Sequence, residues 1–118
     1  MYKQSVLILR SFITKEKRAK LICTASIKLI ERLSTNNPKR VAEWFRTGQK
    51  KIILQTETSK DLLRIRNILL NQKIPFLEIF DLESEKNKNS NGSNILGLVI
   101  GPEKEKILDR IIGHLKLL

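Results

Sequence analysis

Cysteine occurs once in these 118 residues, at Cys23, and a lone thiol can make neither an internal disulfide nor a cysteine-based zinc site. A reducing cytosol is therefore the expected compartment. No apolar run approaches the length of a membrane span. The opening stretch MYKQSVLILRS turns polar too soon for a secretion leader and reads as a first strand. Heptads and internal repeats are absent, so coiled coils and solenoids are excluded. Acidic side chains are scarce: 12 Asp and Glu stand against 23 Lys and Arg, a formal net charge of +11. An apolar content of 41% and a charged content of 30% fit a soluble globular protein. The length suits a single domain over residues 1–118, with a real core and no room for a second.

The positive charge is uneven. Residues 1–51 hold 13 Lys and Arg against 3 Asp and Glu, a balance of +10, whereas residues 52–118 hold 10 against 9. An AT-rich genome would raise lysine everywhere and does not explain that asymmetry. A concentrated positive surface attracts phosphate backbones or anionic membrane, and nucleic acid is the expected partner.

The last quarter of the chain organises the rest. The apolar run Ile95 to Ile100, cut off by Gly101-Pro102, predicts a strand buried on both faces, with neighbours on either side. Pro102 suits the first turn of a helix, and Glu103 and Glu105 suit its positive end. Ile107, Leu108, Ile111 and Ile112 form one apolar stripe along that helix.

Upstream, Val6 to Leu9 reads as a buried strand. Thr14 caps a helix opened by Lys15-Glu16-Lys17-Arg18, with Ile22, Ala25, Leu29 and Leu33 on one side. Lys17, Lys20, Thr24, Lys28 and Arg32 fall on another side as a basic ridge. Cys23, beside the apolar side, is expected as a buried, inert thiol. A short helix from Pro38 to Thr47, closed by Gly48, packs Val41, Trp44 and Phe45 into the core. Lys50-Lys51 leads into a second strand, Ile52 to Gln55. Thr58, answered by Asp61, caps a third helix running to about Asn71 that buries Leu62, Leu63, Ile65, Leu69 and Leu70. A third strand, Phe76 to Phe80, ends at Asp81, and the polar stretch over 83–94 reads as a flexible loop. Strands alternating with helices imply parallel βαβ units and a three-layer α/β/α sandwich. Binding groups in such sheets gather at the carboxyl ends of the parallel strands, here Arg10, the turn after it, and Asp81.

Ile100-Gly101-Pro102 followed by Ile111-Ile112-Gly113-His114-Leu115-Lys116-Leu117-Leu118 resembles the type 2 (archaeal/eukaryotic) peptidyl-tRNA hydrolase family. Arg10 after an apolar strand, Asn37-Pro38, Glu43-Trp44, Gly48-Gln49-Lys50-Lys51 and Asp81 extend the resemblance over nearly the whole chain. It implies a four-stranded mixed sheet of order 2-1-4-3 with the last strand antiparallel. It also implies cofactor-free and metal-free hydrolysis of the ester joining a peptide to the 3′ ribose of a tRNA. His114 falls in the family's structural tail, which implies a packing or hydrogen-bonding role. Some relatives dimerise, and the sequence leaves a monomer and a homodimer both open.

The family's first helix resembles Lys-x-Gly-Lys-Gly-Lys-x-Ala-Ala-Gln-Cys. This chain has no glycine between Thr14 and Cys23 and is two residues shorter between Arg10 and Pro38. With the deletion in the strand–helix turn, Lys15-Glu16-Lys17-Arg18-Ala19 matches Lys-Gly-Lys-x-Ala, and Lys17 takes the catalytic place. Without that shift Ala19 occupies it, and Lys20 is the nearest substitute. Turns absorb deletions better than helices, which favours Lys17. After the third strand the family's Asp-Ala-Gly-Arg-Thr becomes Asp81-Leu82-Glu83-Ser84-Glu85, leaving Ser84 as the one hydroxyl in reach of that role. The resemblance thus implies Lys17 and Asp81 as catalytic, and Arg10, Lys15, Arg18, Lys20, Lys28, Arg32, Lys50 and Lys51 as tRNA-binding. The same fold and basic surface with a degenerate active site would instead make a non-catalytic tRNA- or RNA-binding module.

Overall fold

The computed structural model describes residues 1–9, 14–80 and 95–118. In chain order it gives strand β1 (Tyr2–Leu9), helices α1 (Lys15–Asn36) and α2 (Pro38–Arg46), strand β2 (Lys51–Thr56) and helix α3 (Ser59–Asn71). Strands β3 (Phe76–Phe80) and β4 (Ile95–Lys104), helix α4 (Glu105–Ile112) and strand β5 (Lys116–Leu117) complete it. Alternation along β1 decides how the layers form. Val6 and Ile8 meet Ile22, Ala25, Leu29 and Leu33 of α1 and Val41 of α2 on one face. Leu7 and Leu9 meet Leu62, Ile65 and Leu69 of α3 and Leu108, Ile111 and Ile112 of α4 on the other. Helices therefore cover both faces of the sheet, as the alternation of elements implies.

The sheet is mixed, in the order β3-β4-β1-β2-β5. β1 and β2 are parallel, from Gln4 opposite Lys51 to Leu9 opposite Thr56. β4 is antiparallel to both β1 and β3. Read from its other end, this order contains the expected 2-1-4-3, but among the described residues the sheet has five strands and not four. The fifth, β5, runs antiparallel to β2, with Leu117 opposite Leu54. Two residues carry no period of their own. Lys116 and Leu117 become a strand because β2 offers them unpaired main-chain groups.

β4 also outruns its expected end. Gly101-Pro102 does not stop the strand, which continues to Lys104, and α4 starts only at Glu105. Gly101 adopts a φ of 83° and is joined to Pro102 by a cis peptide, and a shift of register between Lys3 and Ser5 of β1 accommodates the irregularity. Glu103 consequently sits at no helix end. Its buried side chain receives a hydrogen bond from Arg40 Nη1 at 2.7 Å. Gly97 is required by proximity, since a Cβ there would stand 2.4 Å from the carbonyl oxygen of Leu7.

Both expected caps form. Thr14 Oγ1 accepts from the Lys17 N–H at 3.2 Å, and Thr58 Oγ1 from the Asp61 N–H at 3.1 Å. Trp44 is buried, with Nε1 donating to the Lys50 carbonyl at 2.8 Å. Cys23, expected inside, is exposed on α1. Phe45 and Leu70 are exposed as well, on flanks that their helices leave uncovered. His114 is exposed, and no hydrogen bond to its ring is found among the described residues, so the expected packing role is not seen. Leu98, fully buried at the centre of β4, tests the core. Leu98→Ala is expected to lower unfolding free energy by about 2–5 kcal/mol, measured by urea denaturation.

Candidate functional site

β1, β2 and β3 all point the same way, because β1 and β2 are parallel and β1 and β3 are both antiparallel to β4. Their carboxyl ends, Leu9, Thr56 and Phe80, thus share one edge of the sheet, and α1 begins from that edge. Its first turn holds Lys15, Lys17 and Arg18 with Glu16 as the one acid. Positive side chains at a helix amino terminus oppose the helix dipole, so this cluster does not serve the helix itself. It presents concentrated charge to an anion. Lys17 and Arg18 are half-buried there, whereas Lys15, Ala19 and Lys20 are exposed.

From this turn the basic ridge runs along α1 above β3. Leu21, Thr24, Ala25 and Lys28 face Leu77 to Phe80 across a cleft of about 190 Å³. Further along, Arg32 overhangs a second cleft of about 540 Å³, which wraps the outer side of β3 and reaches Leu70 on the opposite face of the sheet. Several cations elsewhere in the chain are paired with acids. Lys3 pairs with Asp109 at 2.6 Å, Arg40 with Glu103 at 2.7 Å, Arg46 with Glu43 and Lys50 with Glu105. Lys20, Lys28 and Arg32 make no ion pair among the described residues. α1 thus carries six cations against two acids, a net +4 of the chain's +11.

The two lysines entering β2 belong to a different place. Lys51 lies opposite Gln4, toward the amino end of β1. Its Nζ donates to Ser26 Oγ at 2.6 Å, Ser26 Oγ donates to Gln4 Oε1 at 2.6 Å, and Gln4 Nε2 donates to the Gly101 carbonyl at 3.4 Å. Ser26 follows Lys17 by nine residues on α1, about 13 Å along the axis. Burial pushes the Lys51 ammonium below the ordinary lysine range, with negative charge on Cys23 acting against it. The Lys50 hydrogen bond holds Glu105 below the usual carboxylate range, with burial working against it. Both lysines thus have partners, whereas Lys20, Lys28 and Arg32 make no ion pair among the described residues. The Gln4–Ser26–Lys51 chain escaped the sequence reading. Its signal was a serine among the inward positions of an amphipathic helix and a glutamine among the buried residues of a strand.

The structure thus brings Lys15, Lys17, Arg18, Lys20, Lys28 and Arg32 together on one helix and sets Lys50 and Lys51 apart. Arg10, Asp81 and Ser84, and the loop expected over 83–94, lie outside the described residues. Among the described residues no three His, Cys, Asp or Glu side chains gather as a metal site, and no helix is long and apolar enough to cross a membrane.

The fold is thus a mixed α/β sheet with a cationic helix start at its carboxyl edge. The family model described as Peptidyl-tRNA hydrolase PTH2 matches residues 2–118, and the chain belongs to that family. Among curated proteins, the chain is 37% identical over 82 residues to a peptidyl-tRNA hydrolase of Methanocaldococcus jannaschii, covering 70% of this chain and 69% of the relative. It is 33% identical to that of Methanococcus vannielii, covering 100% of both chains. The enzyme of Nanoarchaeum equitans is 29% identical, with 99% of each chain covered. Among solved structures, a protein of unknown function from Agrobacterium tumefaciens strain C58 superposes with a TM-score of 0.65 at 11% identity, covering 99% of this chain and 97% of the other. That likeness concerns the fold alone.

Lys51 offers a test of the buried polar chain. With its folded-state value depressed, the unfolded chain holds the proton more tightly. The penalty for the half-buried charge is thus present at neutral pH and is relieved as pH rises through the folded value toward the ordinary one. The stability of Lys51→Met relative to wild type is expected to be greater at about pH 7 than at about pH 10. Urea titrations of both proteins at the two pH values check this.

Proposed function

We infer that this chain is a peptidyl-tRNA hydrolase, which cleaves the ester between a peptide and the 3′ end of tRNA and so returns tRNA to translation. The family match over residues 2–118 carries the reading. The arrangement of α1 supports it: a cationic first turn stands at the carboxyl edge of the sheet and continues into Lys20, Lys28 and Arg32, which make no ion pair among the described residues. The residue roles below belong to the proposal, as do the single hydrolase domain over 1–118, a cytosolic location and a reaction without a cofactor.

Water attacks the ester carbonyl carbon, negative charge collects on the carbonyl oxygen, and the ribose oxygen leaves with a proton. Lys17 suits the first need. Its ammonium sits where the amino-terminal N–H groups of α1 also favour negative charge, and both lower the energy of the oxyanion. Asp81, next after the last residue of β3, is the charge partner that orients Lys17 and the attacking water. Lys20 and Ser84 are the substitutes if the register of the first turn is otherwise. Arg10, Lys15, Arg18, Lys20, Lys28 and Arg32 take the phosphates of the acceptor arm, with Lys50 and Lys51 at the margin of that surface.

Release of N-acetyl amino acid from N-acetylaminoacyl-tRNA by the purified protein tests the activity directly. Lys17→Ala is expected to lower kcat by about 100-fold to 1,000-fold. Turnover that survives Lys17→Ala and fails in Lys20→Ala would move the catalytic lysine. An absence of turnover in the wild type would overturn the hydrolase reading.

Binding of tRNA should weaken steeply with salt. Lys28→Ala and Arg32→Ala are each expected to flatten the slope of log affinity against log salt by about one unit. Filter binding at several salt concentrations measures it, and unchanged slopes would remove the ridge from the interface.

A further inference from the structure

β3 is an edge strand, paired with β4 on one side and with no described segment on the other. The Gly101 N–H donates to the Pro75 carbonyl at 2.9 Å, which makes those two residues a hydrogen-bonded pair of the antiparallel ladder. Such pairs alternate, so Leu77–Val99 and Ile79–Gly97 are the next two. The main-chain N–H and C=O groups of Phe76 and Glu78 therefore point away from β4. An open strand edge of this kind is a template for another strand. The 540 Å³ cleft surrounds it, with Arg32 on one face of the sheet and Leu70 on the other. Five residues of strand extend about 16 Å, enough to pair a short extended peptide.

We propose that the free edge of β3 is the subsite for the peptide moiety of the substrate, which adds to the sheet as a further strand read by the main chain of Phe76 and Glu78. This rests on the hydrolase reading above. The carboxyl end of β3 shares its edge of the sheet with the first turn of α1. A peptide along β3 thus leads from the ester end near Lys17 away from the catalytic edge. Substrates of such an enzyme carry peptides of many sequences, and main-chain pairing is the form of recognition that all of them permit. Charge argues against a second copy as the occupant. Two-fold pairing of β3 with its twin would set both α1 ridges on the same face of the joined sheet. Lys28 and Arg32 of each copy would then approach their counterparts, in a chain already at +11. A neutral peptide main chain meets no such repulsion.

Three substrates on one tRNA test this: an N-acetylated amino acid, an N-acetylated tetrapeptide, and the same tetrapeptide with its amides N-methylated. The KM for the tetrapeptide is expected to be about fivefold or more below that for the single amino acid. N-methylation should remove the difference, as should Glu78→Pro, which deletes an outward N–H while sparing the ladder to β4. The N-methylated arm needs no altered protein, so the test holds even if the proline variant fails to fold. Equal KM values on all three substrates would overturn the subsite and leave the hydrolase standing. No turnover of any of them would overturn the hydrolase reading and the subsite with it. A dimer in sedimentation that Glu78→Pro dissolves would assign the edge to a second copy and overturn the proposal as well.

Discussion

A strand buried at every position but Leu96 from Ile95 through Glu103 can exist only if its main-chain donors and acceptors are paired on both sides and its side chains are covered on both faces. β4 meets the first demand with β1 and β3 and the second with two helical layers. Its closest fit is at Gly97, where the absence of a side chain lets β4 lie against the main chain of β1. Everything functional follows from that placement. With β4 antiparallel to both neighbours, the ends of β1 and β3 come to one edge, and the helix leaving β1 starts there.

That edge receives the cationic first turn of α1. Acidic partners for Lys3, Arg40 and Lys50 come from elements distant in sequence, namely Asp109, Glu103 and Glu105. These pairs knit the layers together. Lys20, Lys28 and Arg32 make no ion pair among the described residues, and the cations of the first turn of α1 work against the helix dipole.

Much of the architecture was legible in advance because long periodic segments carry their own signal. The apolar stripes of α1 and α3, their threonine caps and the strand at Phe76 to Phe80 stand where the sequence placed them. The misreadings cluster where local signals compete with distant partners. Gly101-Pro102 reads as a strand terminator, yet pairing with β1 carries β4 beyond it. Lys116-Leu117 has no strand signal, yet β2 pairs with it. Cys23 sits beside an apolar stripe but outside its reach, because the stripe of α1 is narrower than the helix. Lys50 and Lys51 look like ridge lysines in a list of charges. Their environments, an ion pair with Glu105 and a half-buried bond to Ser26, come from the far end of the chain and from another helix.

The sequence by itself determined the charge asymmetry, the element types and the family tail, since composition, period and local motif require no knowledge of neighbours. Only the tertiary structure decided which cations find partners and that, among the described residues, β3 is left with an open edge beneath α1. Ion pairs and strand edges are relations between segments far apart in the chain. Their partners are chosen by how buried surfaces stack, and no local pattern records that choice.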